Sequence, residues 1–432
     1  MAKDILRGTN WIKIRVDHPP LVPLMQAALF SVFGFSDFFA KLPSALAGLG
    51  TVLLVYWLGR RFFGEWHGVV AMLILASTTY FIKYTARAMT DAPFTFFFLS
   101  AICAWSLAED RPRWYVVAGA FVGLAEMTRG LMWLGLPIIF IAHTIFTRRR
   151  PPRLYLAGAL AFALMPIGAW YSYLISTYGS AFWAGHTDWL NRQVYGPMTP
   201  AWRSYTGALD YTFMLAKSYW PWLPFMIVGL MTVRRQRDGR AYVLLTWVGV
   251  VFILCAATRS RILRYMLPAY PAFSILAAVG FFKLFNEAQI RKALVVVVPV
   301  LAVGVTVIAI NPPAHYWAQD IRPIAAAATA ITSPNQQLGL YDSGEPRWDE
   351  GNLLQWYGDR LAHVLQSSNE LMSWLDERRT PVFIVDRTTY DRVFVGRFQH
   401  EVVARSGHLI CVRLSSAGAD AVDSSSPTRG RN

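Results

Sequence analysis

The sequence predicts a multi-pass, all-α membrane bundle of about ten transmembrane helices, followed by a small C-terminal α/β domain. Three observations carry that expectation. Of 432 residues, 55% are hydrophobic and only 16% charged, where soluble domains average about a quarter charged. Apolar runs that reach the ~20 residues needed to cross a bilayer recur from residue 41 to residue 310. Beyond residue 311 charges become common and the apolar runs shorten.

The expected spans cover residues 41–59, 66–82, 92–108, 114–128, 131–147, 154–175, 211–232, 241–257, 265–282 and 293–310. Alternate loops collect the basic residues: Arg60 and Arg61; Arg111 and Arg113; Arg148, Arg149, Arg150 and Arg153; Arg234, Arg235, Arg237 and Arg240; Lys283, Arg291 and Lys292. The opposite short loops hold fewer, namely Lys83, Arg87, Arg129, Arg259, Arg261 and Arg264. Positive charge concentrates on the cytoplasmic side, so the second set faces outward. The formal charge of +15 therefore reports orientation, and nucleic acid is not an expected partner. Cys103, Cys255 and Cys411 offer no disulfide framework and no CxxC metal site.

This orientation puts the segment around Asp17 and His18, the loop 83–91, the long loop 176–210 and everything after 311 outside. The first sixteen residues include Lys3, Arg7, Lys13 and Arg15 and lack an apolar run. Such a segment does not cross unaided, so one further span is expected to precede this sequence. The expected domains are a membrane domain over 1–310, an extracytoplasmic α/β domain over 311–415 and a disordered tail over 416–432. In the second, Leu338–Tyr341, Val382–Val385 and Leu409–Leu414 read as strands, and 316–331, 351–365 and 369–379 as helices. Ser367 and Glu370 have capping-box spacing.

Asp17-His18-Pro19-Pro20 opens an apolar helix over Pro20–Phe33. Proline is tolerated in a helix's first turn, so Asp17 and His18 are displayed where that helix begins. Asp17 either complements the helix dipole or does chemistry. Asp91, ahead of Pro93, is either an N-cap, a local partner of Arg87 four residues earlier, or a functional acid, since ionisable groups at membrane depth usually face a cavity or a partner. Glu126 and Arg129, three apart, are expected to neutralise each other. Arg261, Arg264 and Tyr265 begin a span on the side where cations oppose the topology. Guanidinium binds phosphate bidentately; the alternative is snorkelling to headgroups. With Lys83, Arg87 and Arg129, these residues make a set suited to a lipid phosphate. Transfer from such a phosphate needs cations on the leaving group and one base on the acceptor. Asp17 and His186 could instead hold a divalent metal, both being fair ligands.

Several motifs run in a fixed order: Gly8-Thr-Asn-Trp11, Asp17-His-Pro-Pro-Leu21, Phe33-Gly34, Lys41-Leu-Pro-Ser44, Tyr56-Trp-Leu-Gly-Arg-Arg61, Arg87 to Asp91, Gly123-Leu-Ala-Glu-Met-Thr-Arg-Gly130, Trp220-Pro-Trp222 and Arg264-Tyr-Met-Leu-Pro-Ala-Tyr-Pro271. In that order they resemble the GT-C superfamily of polyprenyl-phosphate-sugar glycosyltransferases, in its protein O-mannosyltransferase and lipid A aminoarabinose transferase branch. The resemblance covers about residues 1–285. It implies a multi-pass protein of the bacterial inner membrane and an undecaprenyl- or dolichyl-phosphate sugar as donor. The acceptor would be a hydroxyl or phosphate on a lipid, glycan or protein, and the transfer would occur on the outer face with inversion.

It also implies that the acid-His-Pro-Pro motif and the loop from Arg87 to Asp91 are active-site loops. Asp17, His18 and Asp91 are then the catalytic candidates, and Lys83, Arg87, Arg129, Arg261, Arg264 and Tyr265 the donor-phosphate candidates. One departure stands out. The family carries an Asp-Glu or similar pair upstream of Gly-Thr-Asn-Trp, and Asp4 is not at the matching position. The reading from another class is a non-catalytic lipid-phosphate-binding or transport protein on the same scaffold.

Overall fold

A computed structural model describes residues 2–6, 19–195, 207–236, 239–257, 263–310, 317–333, 336–341, 348–360, 362–365, 367–376 and 381–414. The chain is mostly helical, with a five-stranded sheet near its C-terminus. It divides into two compact units, Met1–Leu301 and Ala302–Asn432.

The first unit is a helical bundle. Among the described residues, three helices are long and apolar enough to cross a membrane: Asp37–Phe63, Arg153–Tyr178 and Leu263–Leu284. The expected span 66–82 is instead a bent pair, Glu65–Ser77 and Thr79–Thr85, meeting at 68°. The bend follows Ser77 and Thr78, whose hydroxyls both hydrogen-bond back to carbonyls of their own helix, a pattern that bends helices. The expected span 211–232 is interrupted too, as Gly207–Ser218 and Leu223–Gln236, and Pro221 sits in the break. The helices Asp91–Leu107, Trp114–Glu126, Met132–Thr147 and Tyr242–Ala256 are apolar but shorter.

Helix Tyr270–Leu284 forms the centre, with every residue from Tyr270 to Gly280 buried. Trp247, fully buried, donates from Nε1 to the Pro268 carbonyl at 2.9 Å. Close crossings depend on small residues, as between membrane helices generally. A Cβ on Gly229 would strike the Leu276 carbonyl, and one on Gly280 the Phe225 carbonyl. Gly119 lies just as tightly on Ala159, and Gly123 on Ala163 and Pro166. Outward positions such as Leu46, Leu49, Leu53, Phe162, Met165 and Val295 are apolar and exposed, the inverse of a soluble helix's polar face.

The second unit is a mixed sheet in the order β2-β1-β3-β5-β4, with β1 Leu338–Tyr341, β2 Ala362–Leu365, β3 Val382–Asp386, β4 His400–Ser406 and β5 Leu409–Leu414. The first three are parallel, and β5 runs antiparallel to β3 and β4. Side chains alternate between faces along a strand. Phe383, Val385, Ile410 and Val412 pack on one side, and Val382, Ile384, Leu409 and Cys411 on the other with Ile321, Ile324 and Ala328 of helix Trp317–Ala330. The expected helix 351–365 is corrected: helix Trp348–Gly358 ends and β2 follows, with Asp359 at positive φ making the break. Ser367 does cap, accepting from the Glu370 N–H at 3.2 Å.

Candidate functional site

Helix Asp91–Leu107 begins at Asp91 with Pro93 in its first turn, a position where a missing N–H costs nothing. The residue before the helix is Thr90, and it makes no side-chain capping bond. Asp91 is therefore not the N-cap. Its carboxylate, 3% exposed, takes the guanidinium of Arg129 from 38 residues away. The local Arg87 pairing is also not formed: Arg87 lies over the Tyr84 ring, 5.7 Å from its centroid. Ser44 Oγ donates to the Met89 carbonyl at 2.8 Å, fixing the loop 86–90 on helix Asp37–Phe63.

Arg129 follows the end of helix Trp114–Glu126 and continues its turn, with its N–H on the Ala125 carbonyl. Beyond Asp91, its guanidinium covers the Tyr265 ring at 4.3 Å. Arg264 reaches the same ring at 5.8 Å. Two guanidinium groups thus share one tyrosine, and one of them is paired with Asp91. Arg264 Nε is buried and finds no acceptor among the described residues. Lys83 lies over Tyr80 at 5.8 Å. Tyr80 in turn meets Tyr84 through their hydroxyls at 3.3 Å and stacks on Tyr270. Lys83, Arg87, Arg129 and Arg264 thus each lie against a tyrosine ring.

The Leu21 N–H donates to the Met127 carbonyl at 3.0 Å, so the chain leaving Pro19-Pro20 is tied two residues from Arg129. Asp17, His18 and Arg261 lie outside the described residues. His186 is in helix Ser180–Tyr195, against Phe182 at 5.4 Å and Tyr171 at 6.3 Å. Since Asp17 is not described, the expected metal pair is untested; among the described residues no group of three or more His, Cys, Asp or Glu could hold a metal.

Mutual neutralisation of Glu126 and Arg129 is corrected. Arg129 is committed to Asp91, and Glu126 accepts from the Tyr171 hydroxyl at 3.0 Å instead. Sequence reasoning did not single out Tyr80, Tyr84 or Tyr171. For the first two a signal was present: Tyr80 with Lys83 and Tyr84 with Arg87 are three apart, the spacing that brings side chains together on a helix, and cation and ring attract.

These features define a membrane bundle with a patch of cations set against tyrosine rings; one cation, Arg129, pairs with the buried Asp91. Residues 17–170 match the family model described as dolichyl-phosphate-mannose-protein mannosyltransferase. The relatives and solved structures below extend that similarity beyond the matched segment. The chain is 26% identical over 262 residues to the undecaprenyl phosphate-alpha-4-amino-4-deoxy-L-arabinose arabinosyl transferase of Edwardsiella ictaluri, covering 57% of this chain and 46% of that protein. Its counterpart in Shewanella sediminis is 23% identical over 305 residues, with 66% and 55% covered. The chain spans about half the length of the curated relatives it matches. In fold it is similar to the crystal structure of ArnT from Cupriavidus metallidurans bound to undecaprenyl phosphate, with a TM-score of 0.70, 16% identity and 95% and 91% of the two chains covered. The Archaeoglobus fulgidus oligosaccharyltransferase tethered with an acceptor peptide is more distant, with a TM-score of 0.55, 14% identity and coverages of 86% and 61%.

Proposed function

We propose that this chain moves a sugar from a polyprenyl-phosphate donor to an acceptor hydroxyl or phosphate on the outer face of the membrane, with inversion at the anomeric carbon. The observation that carries this reading is the pair Arg129 and Arg264 over one tyrosine, with the Arg264 Nε–H buried and lacking an acceptor among the described residues. Such a donor suits an anion, and a guanidinium suits phosphate oxygens. The names of the relatives, which pair undecaprenyl phosphate with sugar transfer, support the same chemistry.

In the proposed step, the acceptor oxygen bonds to the anomeric carbon from the face opposite the phosphate. The bond from that carbon to the phosphate oxygen breaks, and the polyprenyl phosphate departs with the electron pair. Arg264 and Lys83 stabilise the charge that grows on the leaving oxygens. A carboxylate or imidazole takes the acceptor's proton, a role for which Asp17 and His18 are the candidates. Asp91, bound to Arg129, is read as a positioning residue that aims the guanidinium. Orientation by the positive-inside rule supports the outward placement of this patch and of the C-terminal α/β domain, in a bacterial inner membrane.

The test is transfer by the full chain, reconstituted in vesicles with an undecaprenyl-phosphate sugar. Arg264→Met is expected to lower transfer by about 10²- to 10³-fold, the usual loss when one preorganised charge donor is removed. Unchanged transfer in that variant contradicts the assignment.

A further inference from the structure

Glu126 is 4% exposed at the last turn of helix Trp114–Glu126, one turn before Arg129. A buried carboxylate needs partners for both oxygens, because an unpaired one bears the full cost of leaving water. Oε1 accepts from Tyr171 at 3.0 Å. Oε2 is buried and completes no hydrogen bond among the described residues. The cation one turn away would be the natural partner, yet it is engaged by Asp91.

The surroundings hold this carboxyl in place. Leu131, next to Gly130, sits at φ 63°, a left-handed conformation costly for a leucine. Its N–H and the Trp133 side chain lie toward the Glu126 carboxyl as further hydrogen-bond donors, while neither completes a bond to Oε2. Tyr171 is held on its other side by Phe182, at 6.1 Å between ring centroids, and by His186. Backbone strain of this kind persists where neighbouring structure fixes it and collects at ligand-binding sites. Oε2 thus presents an acceptor oxygen, fixed in direction, on the turn that leads to Arg129.

We infer that Glu126, oriented by Tyr171, is a recognition residue whose Oε2 accepts a hydrogen bond from a hydroxyl or amino group of a substrate sugar. The inference rests on the proposed transfer reaction and deepens it. The donor group can belong to the sugar being moved or to the acceptor, and the two sources give different results.

The experiment uses the full chain in detergent and compares three proteins: wild type, the near-isosteric Glu126→Gln, and Tyr171→Phe, which keeps the ring packing. Binding is measured with undecaprenyl phosphate and with undecaprenyl phosphate carrying 4-amino-4-deoxy-L-arabinose, a sugar named by the relatives. Transfer from that donor gives KM for each substrate. If the moved sugar is recognised, Glu126→Gln weakens the sugar-bearing lipid by roughly 10- to 100-fold, the scale of leaving a buried polar partner unsatisfied, and leaves undecaprenyl phosphate binding unchanged. If the acceptor is recognised, both lipids bind as in wild type while the acceptor KM rises by a similar factor. Tyr171→Phe shifts the same quantity by less. A Glu126→Gln protein with unaltered binding of both lipids and unaltered KM values overturns the inference, with the lipid-phosphate reading still standing. A wild type that binds neither lipid overturns the functional reading and the inference together.

Discussion

Exchanging Asp91 for Asn removes one negative charge from a site that holds Arg129 and Arg264 around Tyr265. Removing one partner of a buried ion pair costs about 3–5 kcal/mol, because the other charge is left buried. Arg129 retains 19% exposure and the face of Tyr265 at 4.3 Å, and a ring contact of that kind returns about 0.5–2 kcal/mol. The expected cost of Asp91→Asn is therefore about 1–4 kcal/mol. The reverse change, Arg129→Met, strands a carboxylate that is 3% exposed with no ring to fall back on, and its cost belongs at ~4–5 kcal/mol. The double variant removes both charges and should recover much of the loss, giving a coupling energy of roughly 2 kcal/mol or more across the cycle. Thermal inactivation of the purified full chain, read with a fluorescent thiol or tryptophan probe, supplies the four values. Equal effects of Asp91→Asn and Arg129→Met, or strict additivity in the double variant, would mean that the two charges are not coupled as a buried pair.

Other consequences are open to direct measurement. Glu109 has its carboxyl held below the usual carboxylate range, first by its contact with His143 at 2.9 Å and then by the charges of Arg149 and Arg61, which together outweigh burial. A depressed value means that its stabilisation is present at neutral pH and is lost as pH falls below the usual 4.5 through the folded value. Melting temperature followed from pH 7 to pH 3 should therefore drop less steeply in Glu109→Gln than in wild type. Gly280→Val places methyl groups on the Phe225 carbonyl and should destabilise by at least the ~1–3 kcal/mol of overpacking. Gly249→Ala meets no atom within 4 Å and should match wild type in yield and melting temperature. In the second unit, Asp386 caps helix Arg387–Val393 by accepting from the N–H groups of Thr388 and Thr389. Asp386→Ala should cost about 1 kcal/mol, seen as earlier loss of the sheet's protection in hydrogen exchange.

The apolar runs and the positions of their prolines were legible because burial and helix starts follow from local composition. Helix Asp91–Leu107 and strands β1, β3 and β5 fall within one or two residues of where the sequence puts them. What failed is non-local. Glu126 and Arg129 have the spacing of a helical pair, but the regular helix stops at Glu126 and Arg129 reaches an acid 38 residues back. A continuous reading over 351–365 missed that Asp359 takes a left-handed backbone and releases Ala362–Leu365 to pair with β1. Strand β4, with its half-exposed pattern, is fixed by its hairpin with β5 more than by its own residues. The tyrosines beneath the cations were overlooked because an aromatic residue near a membrane surface fits an interfacial belt before it suggests a site.

Lys83, Arg129, Arg264 and Tyr265 are proposed to form a phosphate site for an isoprenoid lipid. The most direct measurement is equilibrium binding of undecaprenyl phosphate to the full chain in detergent, with undecaprenol, which lacks the phosphate, as its control. Saturable binding of the phosphate form, weakened at least tenfold by Arg264→Met and little matched by undecaprenol, is the predicted result. Equal affinity for the two lipids, or no effect of Arg264→Met, would contradict it.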